Sequence, residues 1–411
     1  MRATFLNNKW MRAAVPALLI HACIGSVYCW SLLKGDIATA VGCSVKEIEF
    51  AFSLAIFFLG MSAAFGGHFV EKNVTAASVV SCTCFSSGLL LTVLSIYSGW
   101  VTGIMLSYGC LMGVGLGIGY LAPVKTLMLW FKEHKGLATG IAISGFGLSK
   151  VIFSPYIEWC SARYGVCTTL STMAVVSIFS MLIAAWLIKK PSEWVEPDDS
   201  WKVQDYLHVL RNGTFLKIWF VFYINITCGL ALIAFEKNIA LEVGIAAVGL
   251  LSSLTAFFNT AGRFGYSTMS DYTANKQTIY KVLLLSSVLV MLLGIAAGSS
   301  ALASAVMLCV INAGYGGGFS TLPTLLQSKF GMEKISTIHG LALSAWAWAG
   351  LSGNQLSNLL INQWNQPYQV LYGTLAALFL VAFLVRHDDV VFVNVDVVLS
   401  LYRTVHGEQH H

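Results

Sequence analysis

Long apolar runs separated by brief polar breaks set the rhythm of this chain. Three stretches carry no Asp, Glu, Lys or Arg: Asn73 to Val124, Val282 to Ser328 and Ile335 to Val385. Each is interrupted near its middle by a polar break: SIYSGW (Ser95 to Trp100), AGSSA (Ala297 to Ala301) and NQWNQP (Asn362 to Pro367). A hydrocarbon core about 30 Å thick takes roughly 20 apolar residues per helix, so each stretch predicts a hairpin of two spanning helices. The remaining apolar runs predict six more, over 10–33, 46–68, 136–160, 165–188, 215–237 and 243–269. These runs are too long for barrel strands, which would alternate over about ten residues. The expected fold class is an all-α membrane protein with twelve transmembrane helices in two pseudo-symmetric six-helix bundles.

Composition agrees with a bilayer setting. The 411 residues are 57% hydrophobic and 10% charged, against roughly a quarter charged in soluble domains. The first apolar run is too long for a signal-peptide core and lacks a clear cleavage site, so it reads as a retained helix. Lys72, Lys132, Lys135, Lys189, Lys190, Lys276 and Lys334 fall in the even-numbered loops, while Lys34, Lys46, Arg163 and Lys237 fall in or beside the odd-numbered ones. Lysine and arginine concentrate on the cytoplasmic side of membrane proteins, so both termini are expected there, in a multi-pass protein of the cell (inner) membrane. The same asymmetry explains the net charge of +5 without nucleic acid. The ten cysteines show no metal-ligand spacing. A Cys160–Cys167 disulfide competes with free thiols, and free thiols are favoured.

The chain also repeats itself. One long polar interruption, KKPSEWVEPDDSWKVQDYLHVLRN (Lys189 to Asn212), separates six predicted helices from six. The expected units are a first bundle over 1–188, a linker over 189–214, a second bundle over 215–386 and a cytoplasmic tail over 387–411. GHFVE (Gly67 to Glu71) matches STMSD (Ser267 to Asp271), and GVGLGIGYLAP (Gly113 to Pro123) matches GYGGGFSTLP (Gly314 to Pro323). The acids at 71 and 271 and the prolines at 123 and 323 share one offset of 200. Two features at one offset argue for an internal duplication, common in secondary transporters. Glu71 and Asp271 are expected to act structurally, capping a helix N-terminus or meeting a basic side chain. Lys125, near the cytoplasmic end of helix 4, is expected to snorkel.

These features together resemble the major facilitator superfamily. Within it, FKEHKGLATGIAISGFGLSK (Phe131 to Lys150) and GSVYCWSL (Gly25 to Leu32) are similar to motifs of the oxalate/formate antiporter family. The resemblance implies a central cavity lined by Tyr28 in helix 1, Tyr120 in helix 4, Phe146 in helix 5, and Tyr315 and Phe319 in helix 10. It implies that Arg263 in helix 8 binds substrate carboxylate. Two departures stand out. The family's oxalate carrier has a lysine where this chain has Trp346, and related proton-coupled monocarboxylate carriers have an acid where it has Asn259. A dianion clamp and the usual proton relay are therefore in doubt, and Trp346 is expected as an aromatic wall, with Trp348 facing lipid or a neighbouring helix.

Arg263 also stands on its own physics. It lies about 12 Å along the helix from Asp271, and a cation near mid-membrane costs about 2.5–3.5 kcal/mol, so it should have a function or a partner. Guanidinium matches a carboxylate with two parallel hydrogen bonds. Substrate binding is favoured over a structural pair with an acid on another helix. Lys150, one turn from Phe146, has three open readings: a second cation in the site, a gate with Glu49, or a lysine snorkelling to the outer interface. Glu49 reads as an interfacial carboxylate before a titrating one. His21, two turns from Tyr28, reads as a packing residue before a proton carrier.

No enzyme signature or nucleotide-binding loop is present, and neither cofactor nor metal is expected. The expected function is transport of a small organic carboxylate by alternating access, with pyruvate, lactate or formate favoured. An oxalate or dicarboxylate exchanger is the alternative, and a non-transporting carboxylate sensor the rival of another class. The expected partners are the carboxylate anion, the lipid bilayer and, as a second candidate ligand, protons; a monomer is expected.

Overall fold

The computed structural model describes residues 8–195 and 203–385. The expected cytoplasmic tail from 387 lies outside the described residues, as does part of the linker. Twelve long helices follow one another: α1 Trp10–Val41, α2 Val45–Lys72, α3 Val74–Tyr97, α4 Val101–Trp130, α5 Lys135–Tyr164, α6 Val166–Leu187, α7 Gly213–Ile233, α8 Val248–Asp271, α9 Gln277–Ala296, α10 Ala301–Phe330, α11 Ile335–Ser357 and α12 Tyr368–Leu384. Two short helices, Val203–Leu210 and Glu236–Glu242, precede α7 and α8. Among the described residues, nine of the long helices are both long and apolar enough to cross a membrane by themselves. Of the others, α12 is apolar but shorter, while α8 and α11 carry more polar residues, including Arg263 and His339. Large side chains such as Phe65, Phe179, Trp186 and Leu289 stand exposed around the outside, which suits a surface facing hydrocarbon.

The ends of the helices follow local chemistry. Ser44 accepts from the Glu47 amide while Glu47 caps back, a capping box that starts α2. Asn73, Asn212 and Ser300 cap α3, α7 and α10 through their side chains. The first helix runs further than the apolar run alone indicates, to Val41, and it is not uniform. It tightens to a 3₁₀ stretch over Gly25–Cys29, the segment that carries Tyr28. Such mid-helix stretches often mark hinges or strain.

Helices of the first six pack against helices of the last six through α2 with α11 and α5 with α8. Small residues make these contacts. A Cβ on Gly136 would overlap the Ser267 carbonyl, and one on Gly340 would overlap the Ala63 carbonyl, so only glycine lets the backbones touch there.

The two acids 200 residues apart close one end of these contacts. The Asp271 carboxylate accepts from the Gly136 and Leu137 amides at 2.7 and 2.8 Å, at the start of α5. The Glu71 carboxylate accepts from the Ser336 and Thr337 amides at 2.7 and 3.2 Å, at the start of α11. Each acid thus caps a helix of the other half, where the helix dipole favours negative charge. Glu71 also pairs with Lys125. That corrects the expectation for Lys125. Its side chain is 1% exposed and does not snorkel, because the carboxylate it needs lies inside the bundle.

Of three further readings, the Glu49–Lys150 alternative and the end of α7 are revised, and the favoured free thiols are borne out. Glu49 is exposed and pairs with Lys34 at 2.8 Å, so the Glu49–Lys150 gate is not formed. Cys160 and Cys167 are both free thiols. Helix α7 ends at Ile233 rather than 237, and Glu236 begins a separate short helix.

Candidate functional site

Five helices, three from the first half of the chain and two from the second, bring rings into one aromatic cluster, and α8 adds Arg263 to it. Trp346 of α11 packs edge-on against Phe319 of α10, Tyr120 of α4 and Phe146 of α5, with ring centroids 4.3, 5.8 and 5.9 Å apart. Tyr28 of α1 meets Phe146 at 5.3 Å, and Tyr315 meets Phe319 at 5.2 Å. The Tyr28 and Tyr315 hydroxyls share a hydrogen bond of 3.2 Å, joining the two halves. Edge-to-face rings of this kind form a rigid wall with few rotamers.

Arg263 lies in the middle of that wall. Its guanidinium carbon sits 5.6 Å from the Phe146 ring centre and 5.4 Å from that of Phe319. The side chain is completely buried. Its Nε donates to Asn259 Oδ1 at 2.9 Å, and Nη1 reaches the Ile143 carbonyl at 3.5 Å. Nη2 is buried with no hydrogen-bond partner, and among the described residues no carboxylate lies within 4 Å of the guanidinium. A buried cation held only by neutral oxygens and ring faces is under-compensated, and it attracts an anion.

Other polar atoms in the same cluster are also unsatisfied. The Tyr120 hydroxyl, Trp346 Nε1 and His339 Nε2 are buried without partners. Each can donate a hydrogen bond, His339 in the appropriate tautomer. The arrangement therefore offers one cation and several neutral donors to a small anionic guest, inside walls that exclude water. Charge-assisted hydrogen bonds gain strength in such surroundings.

His21 packs beside Tyr120, with ring centroids 5.1 Å apart, and both its ring nitrogens face backbone carbonyls, of Ala142 and Tyr120. Lys150 is half-buried one turn beyond Phe146 and outside the ring cluster. Asn259 belongs to the cluster through Arg263, whereas Glu49, Glu71 and Asp271 do not belong to it. Sequence reasoning missed His339, whose ring lies 5.9 Å from Tyr120. A signal for it existed: His339 precedes Trp346 by seven residues, as His21 precedes Tyr28. Two helical turns place each histidine on the same face as its aromatic partner.

Known proteins extend this picture. The chain is 24% identical over 379 residues to the oxalate:formate antiporter of Oxalobacter formigenes, covering 89% of this chain and 88% of that protein. It is 23% identical to the apicoplast pyruvate carrier 1 of Toxoplasma gondii, covering 82% and 81%. Its fold matches the crystal structure of the E. coli fucose:proton symporter FucP with a TM-score of 0.69 at 14% identity, over 90% of this chain and 96% of that one. The family model of the Major Facilitator Superfamily matches residues 17–354. The chain is a membrane-spanning member of the Major Facilitator Superfamily.

Proposed function

We propose that the protein carries a small organic monocarboxylate, such as pyruvate, lactate or formate, across the cell membrane by alternating access. The observation that carries this reading is the Arg263 guanidinium, buried and without a carboxylate partner among the described residues. A substrate carboxylate supplies the missing charge, with Nη2 free to donate to it. Tyr120, Trp346 and His339 offer donors for remaining oxygens, such as the keto group of pyruvate. Relatives whose names specify oxalate, formate and pyruvate support the carboxylate class.

A monocarboxylate is favoured over oxalate because Arg263 is the only Lys or Arg among the ring-cluster residues. Lys150 stands one turn beyond Phe146, and the uncharged Trp346 packs on the same two rings, Phe146 and Phe319, as the guanidinium. Under this reading residues 1–188 and 215–386 rock against each other. With both termini in the cytoplasm, the Glu71 and Asp271 caps close the cytoplasmic end. The cycle must then break both sets of contacts to release substrate inward.

The reading is tested by ligand-induced stabilisation of purified protein. Pyruvate, lactate or formate is expected to raise the unfolding temperature, whereas the uncharged amide of the same acid is not; equal effects of acid and amide would remove Arg263 from recognition. Trp346→Lys is expected to shift preference toward oxalate at least tenfold, because a second cation offsets the second negative charge at a cost of about 1.4 kcal/mol per decade. Competition by oxalate during counterflow measures the ratio. An unchanged ratio would take Trp346 out of substrate selection.

A further inference from the structure

At the end of the bundle opposite Glu71 and Asp271, the structure holds a carboxylate that the sequence pattern did not single out. Glu236 begins the short helix Glu236–Glu242, just past the end of α7, and is half-buried. Its Oε1 accepts a hydrogen bond from Thr255 Oγ1 at 2.9 Å. Thr255 is a buried residue of α8. Thr255, Asn259 and Arg263 follow at intervals of four, so they share one face of that helix. Asn259 in turn accepts from Arg263. Glu236 therefore ends a line of polar side chains that begins at the buried guanidinium and rises about 12 Å along α8.

The groups facing Glu236 come from three long helices. Lys150 of α5 acts on it electrostatically, although no ion pair within 4 Å forms between them. Cys309 and Asn312 of α10 face it from another side. Thr255 is the group that α8 presents to it, Arg263 being two turns further along. Burial pushes the Glu236 carboxyl above its ordinary value, opposed by the Thr255 hydrogen bond, the Lys150 charge and Asn312. A raised value favours keeping a proton to higher pH.

We propose that Glu236 is the proton-binding residue of this carrier and that its proton travels with the carboxylate bound at Arg263. The proposal rests on the carboxylate reading above. With the site empty, the Lys150 charge favours ionised Glu236, and the Arg263 charge adds to it by Coulomb attraction over about 12 Å of low-dielectric interior. A carboxylate on Arg263 cancels one of them, so the Glu236 carboxylate loses support and takes a proton from the aqueous side that is open. When the anion leaves on the other side, the guanidinium field returns and the proton is released there. The two bindings then favour each other by the same factor in both directions.

The test uses full-length protein in liposomes, with labelled pyruvate and an imposed pH gradient, acidic outside. Wild-type protein is expected to accumulate pyruvate, and E236Q to lose at least tenfold of that accumulation while still performing pyruvate counterflow. Thr255→Val keeps the carboxyl but removes its donor, so the alkaline limb of the pH profile is expected to move to higher pH. That variant carries the test if E236Q does not fold. Undiminished accumulation by E236Q, or an unmoved limb in Thr255→Val, would overturn the assignment. Wild-type net uptake that ignores the pH gradient while counterflow persists would overturn it too, leaving the carboxylate reading intact; absence of exchange with every carboxylate would instead overturn that reading and this proposal with it.

Discussion

Arg263→Lys is expected to weaken carboxylate transport at least tenfold, a loss of about 1.4 kcal/mol or more, with the charge retained. Lysine presents a compact ammonium on a flexible stem, whereas the guanidinium lies within cation–π distance of Phe146 and Phe319 and is anchored by Asn259. The point charge loses the Asn259 anchor and the paired hydrogen bonds. Arg263→Gln removes the charge as well, and truncating one side of a buried charge pair costs about 2–5 kcal/mol in binding. Stability should move the other way or hardly at all, because the empty protein loses a buried cation that nothing fully compensates. Substrate affinity and unfolding temperature measured on the same preparations separate the two roles. A structural arginine would show its main loss in unfolding temperature, and that pattern would exclude Arg263 as the carboxylate anchor.

Lys125→Ala is expected to give a large stability loss, about 3–5 kcal/mol, because it leaves the Glu71 carboxylate buried beside an empty space. Glu71 is also the acid that caps the start of α11, so the damage reaches the contact between the two halves. The variant with both Lys125→Ala and Glu71→Gln is expected to be more stable than Lys125→Ala alone, since the unpaired charge is gone. Thermal unfolding of the single and double variants measures this. Strictly additive losses would mean that the two side chains do not depend on each other. The equivalent acid in the other half, Asp271, accepts from two backbone amides and makes no ion pair within 4 Å among the described residues, so the pseudo-symmetry is incomplete in chemistry as well as sequence.

Much of the helical scaffold was legible in the sequence because hydrocarbon selects so strongly against charge. The stretches from Asn73, Val282 and Ile335 could hardly be anything else, and the offset of 200 exposed the repeat. Arg263 was visible for the same reason, as a lone cation deep in an apolar helix. Pairings were much less legible. Lys125 reads as a lysine near a helix end, and only the folded chain brings it to Glu71, 54 residues away. Glu49 looked available to Lys150, but Lys34 is nearer in space as well as in sequence. Glu236 was hidden because the apolar run of α7 reads on to 237, whereas the helix ends at Ile233 and a new turn re-aims the acid toward α8. His339 was overlooked because one neutral ring in a charge-free stretch costs little and raises no alarm. In each case local hydropathy reported the element, while the partner depended on how the helices pack in space, within one half for Lys125, Glu49 and Glu236 and across the halves for His339.

Counterflow in liposomes is the most direct measurement of what the Arg263 site does. Purified protein would be reconstituted and loaded with unlabelled pyruvate, and entry of labelled pyruvate followed against internal lactate, formate, oxalate and a neutral sugar. Faster entry against the monocarboxylates than against oxalate, no entry against the sugar, and loss of the signal in Arg263→Gln is the expected result. Equal entry whatever the internal solute, or exchange that survives in Arg263→Gln, would contradict a carboxylate carrier built on that guanidinium.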